Sequence, residues 1–170
     1  MQCWRDKYKF NFWRPIIGIR NADGDPDTAG MMDATWTQLG APRTNSNKLG
    51  INPAFLAYPS GHATIATSAF VVAQELLNIP VDREYPLESD EFNGVNEGED
   101  GVARPKLVRT MSLESAIKEN ERSRVYIGVH WDFDCTEGTK LGRAVAAGTL
   151  ASFPPEVPPG LDSANTLTTS

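Results

Sequence analysis

Cysteine and histidine are both scarce in this chain, with two of each in 170 residues. Two thiols, Cys3 and Cys135, are too few for a disulfide framework, and their spacing suggests no metal site. They are read as unpaired. No apolar run reaches the roughly 18–20 residues of a membrane span. Positive charge is in deficit: 16 Lys and Arg against 22 Asp and Glu leave a net charge of -6, which argues against nucleic acid as the main partner. No apolar stretch follows Met1, so no signal peptide is expected in this chain, and its compartment stays open. No internal repeat stands out. What remains is ordinary globular composition, 40% hydrophobic and 22% charged, with 12 Pro and 14 Gly that favour loops. The length suits one domain with a real core.

The first residues already resemble a helix under way, so the chain is expected to be a C-terminal piece of something longer. Trp4, Tyr8 and Phe12 form an apolar stripe over residues 1–14. Lys7, Asn11 and Arg14 share another face, so the two cations should project in nearly the same direction. Pro15 marks an end or kink. Residues 21–27 hold three aspartates but lack the spacing of a calcium loop, and a solvated loop is expected. Residues 40–58 read as a long irregular connection.

From Gly61 to about Asn78 the chain is most apolar, and a core helix is expected there, with Ile65, Ala66, Ala69, Phe70, Val72, Ala73, Leu76 and Leu77 as its apolar residues. An acidic, irregular insertion follows at about 80–111, with room for minor strand. Ser112 is placed to cap a helix that Gly128 stops. A last helix is expected from about Asp134 to Phe153, with Leu141, Val145, Ala146 and Leu150 inward. A Pro/Ser/Thr-rich tail, 154–170, is expected to be mobile. The fold class is all-α: a helical bundle with long loops, over residues 1–153.

Pro59-Ser60-Gly61-His62 stands where the apolar helix begins. It offers a hydroxyl, a backbone amide and an imidazole beside free helix N–H groups, which suits an anion with a proton donor next to it. Lys7, Arg14 and Arg124 are cations near expected helix ends. A break at Gly128 would bring Arg124 and His130 to one point. His130 and Asp134 are four apart, so the carboxylate could orient the ring. Together these groups make a cradle for a tetrahedral oxyanion such as phosphate or vanadate. One histidine could bond to the central atom while the other handles protons.

Three motifs now stand in order: Lys7 with Arg14-Pro15, Pro59-Ser60-Gly61-His62, and Ser123-Arg124 with His130 and Asp134. The sequence resembles the superfamily shared by type 2 phosphatidic acid phosphatases and vanadium-dependent haloperoxidases. Phe-Trp-Arg-Pro, Leu-Gly-Ala-Pro at 39–42, Ser-Asp-Glu-Phe-Asn-Gly at 89–94 and Gly-Val-His-Trp at 128–131 are similar to the chloroperoxidase branch. That resemblance implies vanadate bonded to His130, with its oxygens held by Lys7, Arg14, Ser60, Gly61 and Arg124, and no haem. His62 would move protons, and Lys7 would polarise hydrogen peroxide for attack by halide, chloride or bromide, giving hypohalous acid for an organic acceptor. Asp134 would orient His130. Trp4 and Phe55 fall where chloroperoxidases place aromatics beside the cofactor, which points to chloride. An acid phosphatase, with His130 as nucleophile and His62 as leaving-group acid, is the alternative. Family members are much longer and have two helical bundles, so a missing N-terminal bundle or a second copy is expected to cover apolar surface here.

Overall fold

Helix formation begins at the second residue. In the computed structural model, which describes residues 1–22, 32–40, 51–98 and 100–152, helix α1 runs Gln2–Phe10. It stops earlier than the expected end near Pro15. Asn11 takes the left-handed conformation, φ 51°, and its N–H returns to Lys7 O; asparagine tolerates this geometry better than most residues. Arg14 is extended, as a residue before proline prefers, and Pro15 opens α2, Pro15–Arg20. Lys7 and Arg14 therefore do not share one helix face. The aromatic stripe does not face the core. Trp4 is 43% and Tyr8 69% exposed, while Cys3 and Lys7 form the buried side of α1.

Helix α3, Gly61–Leu76, packs most extensively against α5, Asp132–Ser152. The seam is made of small side chains. Ala63, Thr64 and Thr67 are buried on α3, facing Gly138, Gly142 and Ala146 on α5. Ile65, expected in the core, is 65% exposed. On α5, Ala146 is buried as expected, whereas Leu141, Val145 and Leu150 are half-buried. Close backbone approach explains the choice. A Cβ at Gly142 would stand 2.7 Å from Thr64 O, nearer than carbon and oxygen tolerate. Large apolar side chains cannot enter such a seam and lie along its flanks.

Strands β1, Glu84–Glu88, and β2, Val108–Ser112, pair antiparallel, with Glu84 opposite Ser112 and Glu88 opposite Val108. They close the base of the acidic insertion. Ser112 then caps α4, Leu113–Tyr126, its side chain accepting from Ser115 N at 3.1 Å. Helix α4 packs on both α3 and α5. It is joined to α5 by Arg143–Glu114 at 2.8 Å and by Arg122 with Asp132. The architecture is the all-α bundle expected, with one small hairpin. The aspartates of the 21–27 turn, residues 41–50 of the long connection and the tail 154–170 lie outside the described residues, and 51–58 contains no helix or strand.

Candidate oxyanion site

The start of α3 is fastened from two sides. Ser60 N donates to Asp134 O at 2.8 Å, which pins it to the first turn of α5. Ser60 is fully buried and caps α3, accepting from Ala63 N. The Cys135 thiol hydrogen-bonds with the Ser60 side chain, and burial pushes that thiol up to about 12. Cys3 Sγ approaches Pro59 O at 3.6 Å. Both cysteines are free and buried, so the expectation of unpaired thiols holds.

Lys7 is 1% exposed and reaches under this loop. Its Nζ donates to Leu56 O at 2.8 Å, Ala57 O at 2.9 Å and Pro59 O at 2.6 Å. An ammonium has three donors, and all three are engaged. Burial, with Arg14 adding to it, lowers Lys7 to about 8. Gly61 sits above the lysine stem, and a Cβ there would lie 3.9 Å from Lys7 Cε.

Arg14 is equally buried. It donates from Nε to Phe55 O at 2.8 Å, from Nη2 to Leu56 O at 3.2 Å and from Nη1 to Val129 O at 2.7 Å. Nη1 also lies 3.0 Å from His130 Nε2. That contact assigns the tautomer. A guanidinium cannot accept, so Nε2 carries the lone pair and the proton sits on Nδ1. Nδ1 faces Asp134 Oδ2 at 3.0 Å, which also accepts from Trp131 N at 3.1 Å. Burial lowers His130 to about 4, only partly opposed by the bond to Asp134. The ring is therefore neutral, and its unprotonated Nε2 accepts from the Arg14 guanidinium. Asp134 Oδ1 is buried and has no hydrogen-bond partner among the described residues.

Gly128, at φ 73°, ends α4 and turns the chain so that Val129 N reaches Arg124 O at 3.3 Å. A Cβ at Gly128 would meet the Trp36 ring at 3.0 Å. Arg124 stands in the last turn before this break and His130 two residues after it. Arg124 is held through Nε, which donates to Ser123 Oγ at 3.0 Å. No other hydrogen bond engages its guanidinium among the described residues, so its terminal N–H groups remain free to donate. His62 is the exposed member of the group. Its pKa is lowered by burial first, then by Arg124, Arg14 and Lys7, which places it in the same positive field.

Phe55 joins this group from the loop. Lys7 Nζ lies 5.4 Å and Arg14 Cζ 5.0 Å from its ring centroid, within cation–π range. Trp4 packs on Phe55 with centroids 4.9 Å apart. Lys7, Arg14, Ser60, Gly61, His62, Arg124, His130, Asp134, Trp4 and Phe55 thus all lie around one end of the α3–α5 seam. The sequence reading missed the carbonyls of Leu56, Ala57 and Pro59, because backbone acceptors leave no residue-type signal. It also missed Gly138. There the signal existed: Gly138 and Gly142 are spaced i, i+4 on one helix face. Asn120 donates across elements to His62 O at 3.1 Å.

A family model described as the VCPO second helical-bundle domain matches residues 1–154. The vanadium chloroperoxidase of Curvularia inaequalis is 37% identical over 158 residues, covering 77% of this chain and 25% of the relative. The chain thus spans about a quarter of the length of that curated relative. Among solved structures, a bacterial vanadium-dependent iodoperoxidase aligns with a TM-score of 0.61 at 23% identity, over 88% of this chain and 29% of its own. A holo-type bacterial vanadium-dependent chloroperoxidase aligns with a TM-score of 0.59 at 18% identity, over 85% and 31%. At those identities the likeness speaks for the fold.

Proposed function

We propose, since the chain belongs to the vanadium chloroperoxidase second helical-bundle domain family, that its cradle holds vanadate and oxidises halide with hydrogen peroxide. The observation that carries this reading is His130. Its ring is buried and neutral, oriented by Asp134, and its unprotonated Nε2 accepts from the Arg14 guanidinium, a bond it would exchange for the electrophile. That is the state a histidine needs to donate a lone pair to an electrophilic centre.

The donor set suits an oxyanion. Arg124 offers unengaged N–H groups, Ser60 a hydroxyl and Gly61 a backbone amide at a helix start. Arg14 and Lys7 bring buried charge that has no carboxylate partner in hydrogen-bonding contact among the described residues. Lys7 would exchange one carbonyl for an anion oxygen or for hydrogen peroxide. When bound, vanadate supplies Lewis-acid activation of hydrogen peroxide without changing its own oxidation state. The balance is simple: halide gives two electrons to hydrogen peroxide, one proton is taken up, and hypohalous acid and water leave. His62, half-open to solvent and neutral near pH 7, would carry that proton in and out. Trp4 and Phe55 would present an apolar wall to the halide, easing its dehydration, and chloride is the halide this wall favours.

The test is bromination of monochlorodimedone by hydrogen peroxide with and without vanadate, beside hydrolysis of p-nitrophenyl phosphate. Vanadate-dependent bromination, lost in His130→Ala, is expected. Phosphate ester turnover without halogenation would reverse the reading, and activity retained in His130→Ala would remove that residue from its assigned place.

A further inference from the structure

Helix α3 carries His62 and helix α4 carries Arg124, and a short hydrogen-bonded relay runs between them. Asn120 Nδ2 donates to His62 O at 3.1 Å, from a residue 58 positions away. Asn120 O in turn accepts from Ser123 Oγ at 2.7 Å. Ser123 Oγ accepts from Arg124 Nε at 3.0 Å. Each group is used in the direction its chemistry allows: the amide nitrogen donates, the hydroxyl donates once and accepts once, and the guanidinium donates.

We propose that Asn120 is a positioning residue, with Ser123 as its second link, which sets the first turn of α3 against the Arg124 guanidinium. The relay does two things for Arg124. It fixes the side chain through Nε alone, leaving the terminal N–H groups to meet an anion. It also ties that fork to the backbone that presents Ser60, Gly61 and His62. Asn120 and Arg124 are four apart on α4, so one helix face carries both the tie and the cation. No other side-chain hydrogen bond joins α3 to α4 among the described residues, so this bond is the direct polar tie between the two helices. A cradle that must meet an oxyanion within a fraction of an ångström needs such a directional tie.

The inference about anion binding rests on the vanadate reading, but the relay is testable without it. The chain has only two histidines, so their imidazole NMR signals are separable. In the anion-free chain, Asn120→Ala and the near-isosteric Asn120→Asp should each shift the His62 signals and leave those of His130 in place. Ser123→Ala should displace His62 in the same sense. An unchanged urea midpoint would show that the fold survives, and Asn120→Asp is the arm that keeps the bulk constant should the alanine variant unfold. Unmoved His62 signals in both Asn120 variants would overturn the proposal, as would His62 and His130 moving together. In a second arm, orthovanadate affinity should fall about tenfold in either Asn120 variant, the range seen when a supporting contact is lost. The double variant Asn120→Ala/Ser123→Ala should lose no more than the worse single one. Full additivity would mean two unrelated effects and would overturn the relay. A parent chain that takes up no vanadate would sink the vanadate reading, while the NMR arm still decides this one.

Discussion

Adding a single methyl group at two glycines of α5 should move stability in opposite directions. At Gly148 nothing lies within 4 Å of a built Cβ. Alanine there should gain the helix-propensity difference, up to about 1 kcal/mol, somewhat less near a helix end. At Gly138 the same Cβ would stand 2.7 Å from Ser60 O, 3.0 Å from Ala63 Cβ and 3.2 Å from Ser60 N. Two of those atoms are backbone and none is the free end of a flexible side chain, so the helices must part. Overpacking of this kind costs about 1–3 kcal/mol, which outweighs the propensity gain. Gly138→Ala should therefore unfold at lower urea than the parent and Gly148→Ala at higher, with equal slopes. In thermal melts the gap between them should be several degrees, at about 2–4 °C per kcal/mol for a chain of this size. Because the contact is with Ser60, Gly138→Ala should also weaken orthovanadate binding, whereas Gly148→Ala should not. The reasoning fails if Gly138→Ala is as stable as Gly148→Ala.

Acid should destabilise the anion-free fold through His130. Its folded pKa of about 4 lies below the ordinary 6.5, so the unfolded chain takes the proton first. Its contribution is complete above about pH 6.5 and drains away down to about pH 4, on the order of 3 kcal/mol. Urea midpoints across that range check this, and a flat profile in the parent would refute it. Asp134→Asn removes the carboxylate that holds Nδ1–H and should weaken orthovanadate binding by about 10–100-fold, measured by titration without peroxide. Phe55→His replaces the apolar wall over Lys7 and Arg14 with a polar ring. Chloride turnover should fall more than bromide turnover, and an unchanged ratio would detach Phe55 from halide choice.

The site was more legible in the sequence than the packing beneath it. Lys7, Arg14, Ser60, His62, Arg124, His130 and Asp134 announce themselves as charged or nucleophilic types in ordered motifs, and the structure gathers them at one end of the bundle. Periodicity misjudged the rest. It found the helical spacing of Trp4 and Tyr8 but not which face of α1 is buried, which is that of Cys3 and Lys7. It put Ile65 inside because hydropathy ranks residues by size and polarity, whereas the α3–α5 seam selects for smallness. Asn11 ended α1 by a backbone conformation that no apolar pattern encodes. Residue types reveal chemistry, and spacing reveals helices, but the distance between two helix axes is written in glycines that a hydrophobicity reading passes over.

The full engagement of Lys7 Nζ with three carbonyls has a kinetic meaning. An anion that draws on this ammonium does not enter a waiting slot. It displaces the carbonyl of Leu56, Ala57 or Pro59, and that carbonyl must turn elsewhere as the anion arrives. On the proposed reading, loading would therefore be an exchange of partners inside the loop that ends in Ser60 and Gly61. Its rate would be set by how readily that loop yields, and its equilibrium by how much better an oxyanion accepts than a peptide oxygen.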